Sequence, residues 1–78
     1  MPSPQQNFGR RIRQLRLKKG WTQEQLAERA NQYWTYIGGI ERGERNVTLQ
    51  VIADIARALG VEIQTLFPRE RDECGLTR

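Results

Sequence analysis

The 78 residues contain no histidine and a single cysteine, Cys74, so the side chains that most often bind metals or move protons near neutral pH are missing. No nucleophile and base, phosphate-cradling loop or metal-ligand cluster is spaced along the chain, and enzymatic chemistry, cofactors and metals are not expected. The residue types point instead to the holding of a polyanion. Thirteen Lys and Arg against nine Asp and Glu give a net charge of +4 and a pI near 10.0. The six charges between Asn7 and Gly20 are Arg10, Arg11, Arg13, Arg16, Lys18 and Lys19, so one segment carries more than the whole net charge. Such a field favours a polyanionic partner without separating nucleic acid from a membrane surface. Further on, Tyr33, Trp34 and Tyr36 put three aromatics into four residues.

Helices must position these groups. Ser3 and Gln6 are spaced as a capping box, with Pro4 at the first helical position, and Phe8, Ile12 and Leu15 recur at helical spacing. The basic residues Arg10, Arg11, Arg13 and Lys18 lie mostly off that stripe. Lys18 and Lys19 suit the C-terminal dipole, and Gly20 ends the helix. A membrane-surface helix would carry a wider apolar face than these three residues. From Thr22 to Arg45 follow two short helical patterns separated by a few turn-prone residues. Thr22 and Gln25 form a second capping box, with Trp21 and Leu26 spaced as a hydrophobic staple. Leu26, Ala27 and Ala30 share one face, and the two alanines are small enough for close helix approach. The second pattern starts near Trp34, turns Ile37 and Ile40 inward, and stops at Gly43. This is a helix-turn-helix.

Thr48 then caps a helix whose Ile52, Ile55, Ala56 and Leu59 form a buried stripe ending at Gly60. The expectation is an all-α, five-helix domain over 1–68, with helices at about 4–19, 23–30, 34–42, 49–59 and 63–67, and a flexible tail over 69–78. Val51, Val61, Ile63, Leu66 and Phe67 exceed what one short helix needs to dock, and a domain this small gains from association, so these five are expected to form a homodimer interface. No apolar run approaches a membrane span and no leader is visible, which places the chain in a reducing cytoplasm with Cys74 inert.

The ordered set Phe8-Gly9-x-x-Ile12-x-x-Leu15-Arg16, Trp21-Thr22-Gln23-Glu24-x-Leu26-Ala27, Tyr36-Ile37-x-x-Ile40-Glu41-Arg42-Gly43-x-Arg45-Asn46 and Ala58-Leu59-Gly60-Val61 resembles the Cro/CI-type, or XRE, helix-turn-helix family. The resemblance covers about Phe8 to Phe67 and implies a lambda-repressor-like DNA-binding fold. Within that family, the short length and the run from Tyr36 to Gly43 look most like restriction-modification controller proteins. The resemblance implies a sequence-specific regulator that binds double-stranded DNA as a dimer on inverted half-sites, with no small-molecule effector evident. It places Trp34, Thr35, Tyr36 and Arg45 at base edges and Thr22, Gln23 and Asn46 at phosphates. It also implies a structural salt bridge between Arg16 and Glu41.

Three departures from the family pattern bear on that reading. Gln32 and Tyr33 stand where an apolar residue and a Ser or Asp cap are usual, so Asn31 is expected to cap the third helix while Tyr33 supplies the apolar contact. Trp34 replaces a common Arg or Gln. Gly38 and Gly39 remove side chains from the middle of the recognition helix, as close approach to DNA or to the first helices would require. An antitoxin or phage-type repressor is the alternative among regulators, and a protein-interaction module that does not read DNA is the alternative of another class.

Overall fold

The structure, a computed structural model, describes residues 3–67. Four α-helices, α1 (Pro4–Lys18), α2 (Gln23–Ala30), α3 (Trp34–Glu41) and α4 (Leu49–Leu59), precede a short 3₁₀ turn (Ile63–Leu66). Three helix starts are fixed by hydroxyl caps. Ser3 accepts from Gln6 N–H at 3.1 Å while Gln6 returns a bond to Ser3 N–H at 3.0 Å, and Thr22 and Gln25 repeat the exchange at 3.1 and 2.8 Å. Thr48 accepts from Val51 N–H at 3.2 Å.

The expected fifth α-helix at 63–67 is corrected to that 3₁₀ turn. Gly60 and Pro68 leave little room between them, and Phe67, which precedes the proline, takes the extended backbone that proline imposes (φ −108°, ψ 131°). Bonds of the i to i+3 type, Thr65 N–H to Glu62 O at 2.9 Å and Phe67 N–H to Gln64 O at 3.2 Å, close the turn. The expected tail at 69–78, with Cys74, lies outside the described residues.

α2 packs on α3 and α4, α1 crosses α3, and the 3₁₀ turn seals α1 against α4. Ile12, Leu26, Ile37, Ile55, Leu59 and Leu66 meet at the centre with at most 1% exposure. Leu66 is thus a core residue of its own protomer. Its expected place at a subunit interface is corrected: the 3₁₀ turn aims it inward and leaves Ile63 and Phe67 as the exposed apolar residues of that segment, with Val51 and Val61 half-buried. The Phe67 ring also rests against Phe8, centroids 5.2 Å apart. Among the described residues, no helix is long and apolar enough to cross a membrane.

One contact sets the position of α3. A Cβ at Gly9 of α1 would stand 2.1 Å from Ile40 O and 2.8 Å from Glu41 O, so a side chain there would collide with backbone. The end of α3 is seated just as closely. Gly43, at φ +78°, lies against the Gln6 backbone, where a Cβ would stand 2.9 Å from Gln6 Cα.

Candidate nucleic-acid interface

The last turn of α3 is tied to the scaffold by charge. Arg16 Nε and Nη2 donate to the two carboxylate oxygens of Glu41 at 2.7 and 3.0 Å, and the side chains are 8% and 3% exposed. Two further bonds complete the group: Arg16 Nη1 donates to Trp21 O at 2.8 Å, and Gln23 Nε2 donates to Glu41 at 3.0 Å. One bidentate pair therefore joins α1, the turn before α2, the first residue of α2 and the end of α3.

With α3 held there, its opposite end projects outward. Trp34 and Thr35 are exposed and Tyr36 is half-buried, while Ile37 and Ile40 point into the core. The first intrahelical bond is Ile37 N–H to Tyr33 O at 3.1 Å, and no side chain caps the helix. The expectation at this head is corrected on both counts. Asn31 is occupied as the left-handed residue that ends α2 (φ 58°), which turns the chain away before α3 begins. Tyr33, expected to contact the core, is 82% exposed, because extended backbone at the start of α3 carries its side chain outward. The backbone N–H groups at the head of α3 thus face solvent without a side-chain acceptor, a positive end suited to anionic or acceptor-rich surfaces.

Arg45 reaches the same face from the loop. Its guanidinium lies 5.8 Å from the Tyr36 ring centroid, and its stem covers Gly39. Asn46 adjoins it: the Tyr36 hydroxyl lies 3.5 Å from Asn46 O, and Gln5 Nε2 donates to Asn46 Oδ1. Tyr36, Arg45 and Asn46 thus form one cluster. The two glycines face different neighbours: Gly39 faces this cluster, and Gly38 faces Gln23 at the start of α2, the approach to the first helices that was expected. Gly39 makes room for Arg45, and a Cβ at Gly38 would stand 3.2 Å from Arg42 Nη1 and 3.4 Å from Gln23 Oε1.

Thr22 and Gln23 stand at the head of α2. The Thr22 oxygen accepts within its capping box, leaving its hydroxyl proton to donate, and Gln23 keeps its backbone N–H at the first helical position. Arg29 and Lys19 lie 4.3 and 5.5 Å from the Trp21 ring centroid, which keeps two cations beside that helix start. Elsewhere on α1, Arg10 and Arg13 are solvated, and Arg11 Nε donates to Thr65 O at 2.9 Å. Sequence reasoning gave no role to Gln5, which holds Asn46, or to Gly9. A glycine inside an amphipathic helix was the available signal for the latter, since it costs propensity without a packing reason.

The chain resembles known proteins over most of its length. The chain is 48% identical over 61 residues to the control protein C.BamHI of Bacillus amyloliquefaciens, spanning 77% of this chain and 75% of that one. The crystal structure of the restriction-modification controller protein C.AhdI from Aeromonas hydrophila superposes with a TM-score of 0.80 at 46% identity, covering 81% of this chain and 96% of that one. The controller protein C.Esp1396I, crystallised as a tetramer in complex with its natural 35 base-pair operator, superposes with a TM-score of 0.76 at 36% identity, over 85% of this chain and 87% of that one. With the helix-turn-helix family model also matching residues 12–66, the chain belongs to the XRE-type helix-turn-helix family to which these controller proteins are similar.

Proposed function

We propose that this chain is a sequence-specific, DNA-binding transcription regulator of the restriction-modification controller class, acting as a dimer on an operator of its own system. The observation that carries the reading is the uncapped head of α3, which offers Trp34, Thr35 and Tyr36 to a groove with Arg45 laid alongside. An α-helix fits the major groove, where each base pair shows a distinct donor and acceptor pattern, and the arginine fork matches the guanine edge. Trp34, Thr35, Tyr36 and Arg45 are the base readers. Thr22, the backbone of Gln23 and the amide of Asn46 hold phosphates on either side. Thr22 caps α2, Gln23 is its first residue and Asn46 lies on the loop beyond α3, so the two groups flank the reading helix along the chain.

The exposed Ile63 and Phe67, together with the half-buried Val51 and Val61, supply the two-fold contact. Two reading helices one DNA turn apart, roughly 34 Å, call for inverted half-sites with centres about 10 base pairs apart. The test is selection of bound duplexes from a random pool, followed by titration of two variants on the selected and a scrambled duplex at matched salt. Arg45→Ala loses about 1 to 3 kcal/mol on the selected site and little on the scrambled one. Asn46→Ala weakens both to a similar degree. Equal weakening of both duplexes by Arg45→Ala would reduce Arg45 to a phosphate contact, and failure to enrich any sequence would refute the function.

A further inference from the structure

Gly39 sits inside α3, where alanine would be better for the helix itself. Its neighbour explains it. A Cβ at this position would stand 2.9 Å from Arg45 Cγ and 3.3 Å from Arg45 Nε, closer than the two side chains could coexist. The three atoms nearest that Cβ outside α3 itself, Cγ, Nε and Cδ, all belong to the exposed side chain of Arg45, so rotating that side chain relieves the collision while the helix stays. At Gly9 the colliding atoms are carbonyl groups and no such relief exists.

Arg45 is brought to this notch by the chain. Gly43 N–H donates to Ile40 O at 3.0 Å and Glu44 N–H to Gly39 O at 2.9 Å, a helix ending that folds the loop back along α3. Tyr36 precedes Gly39 by three residues and so shares its face, and the guanidinium comes to rest 5.8 Å from its ring. Backbone, notch and ring converge on one side chain.

We propose that Gly39 is a positioning residue for base reading: its missing side chain seats the stem of Arg45 so that the guanidinium is presented beside Tyr36 before DNA arrives. The inference rests on the reading of Arg45 as a base reader. An arginine already held in one place loses less freedom on binding, and that gain falls on the contact that demands exact geometry. Displaced from the notch, Arg45 keeps its charge and still attracts phosphate. The loss therefore falls on the specific complex.

The experiment compares the full chain with Gly39→Ala, Arg45→Ala and the double variant, using fluorescence anisotropy on the selected and a scrambled duplex at matched salt, with thermal melts of each protein. Gly39→Ala should melt at or above the parent temperature and bind the selected duplex about fivefold or more weaker. Its affinity for the scrambled duplex should stay within about twofold, because charge is unchanged. The double variant should bind no more weakly than Arg45→Ala alone. Full operator affinity for Gly39→Ala, alongside lost selectivity for Arg45→Ala, overturns the notch while leaving the base-reading role intact. A further loss when Gly39→Ala is added to Arg45→Ala also overturns it, since the new methyl would then be meeting DNA. A Gly39→Ala chain that fails to fold overturns the premise that only Arg45 must move. Selectivity unaffected by Arg45→Ala removes the base-reading role, and the notch with it.

Discussion

Removing one partner of the Arg16–Glu41 pair tests how α3 is held. With Arg16→Met the Glu41 carboxylate, 3% exposed, loses two bonds and keeps only the neutral donor Gln23 Nε2. Breaking a buried pair in this way costs about 3 to 5 kcal/mol. A domain of this size has roughly 4 to 12 kcal/mol in total, so either single variant loses a large share of its stability. At about 4 to 8 °C per kcal/mol, the midpoint should fall by roughly 12 to 40 °C. Glu41→Met should cost a similar amount by leaving the guanidinium, fixed by Trp21 O, without its counter-charge. The double variant buries no unpaired charge and should recover part of the loss. It should stay below the parent, because Trp21 O and Gln23 Nε2 each lose a partner at about 1 to 3 kcal/mol. Urea unfolding at one low temperature and one protein concentration gives the cycle directly, and a coupling of about 2 kcal/mol or more is expected. If the single costs summed to the double within about 0.5 kcal/mol, the pair would carry no coupling and the account of α3 docking would be wrong.

Gly9→Ala should cost about 2 kcal/mol or more, since its methyl meets the carbonyls of Ile40 and Glu41 and α3 must shift; an unchanged urea midpoint would refute the close crossing. Tyr33→Ser should gain about 0.5 to 1 kcal/mol by supplying the missing cap of α3, seen as a higher calorimetric midpoint. Ile63→Glu should give folded monomers by sedimentation, whereas Leu66→Glu should unfold the chain, because the first side chain is exposed and the second fully buried. A folded Leu66→Glu protein would contradict the core assignment.

What the sequence made legible follows from what repeats along it. The stripes at Phe8, Ile12 and at Ile52, Ile55, Leu59, together with the boxes at Ser3–Gln6 and Thr22–Gln25, are local patterns with local physics, and α1, α2 and α4 form on them. The errors cluster where one residue had two possible partners. Asn31 can end one helix or start the next, and only the path of the chain decides. Leu66 and Ile63 are both apolar, and only the tight 3₁₀ geometry shows which is buried. Gly39 was legible as an anomaly in a helix, but Arg45 lies six residues on, and nothing local says that the loop returns.

The reading helix is the one least able to form by itself. α3 has eight residues, no side-chain cap and two interior glycines, which together set it back by about 3 kcal/mol relative to a capped alanine helix. Burial of Ile37 and Ile40, at 0% and 1% exposure, returns about 1.5 to 3 kcal/mol each, so tertiary contact and not propensity makes this helix. Two of these local defects shape the face that α3 presents. The missing cap leaves N–H groups free at the head, and the absent side chain at Gly39 leaves a seat for Arg45. Repairing either improves α3 as a helix while altering the face that the protein presents, so Tyr33→Ser and Gly39→Ala should each retain or raise stability, and Gly39→Ala should do so at the expense of selective binding.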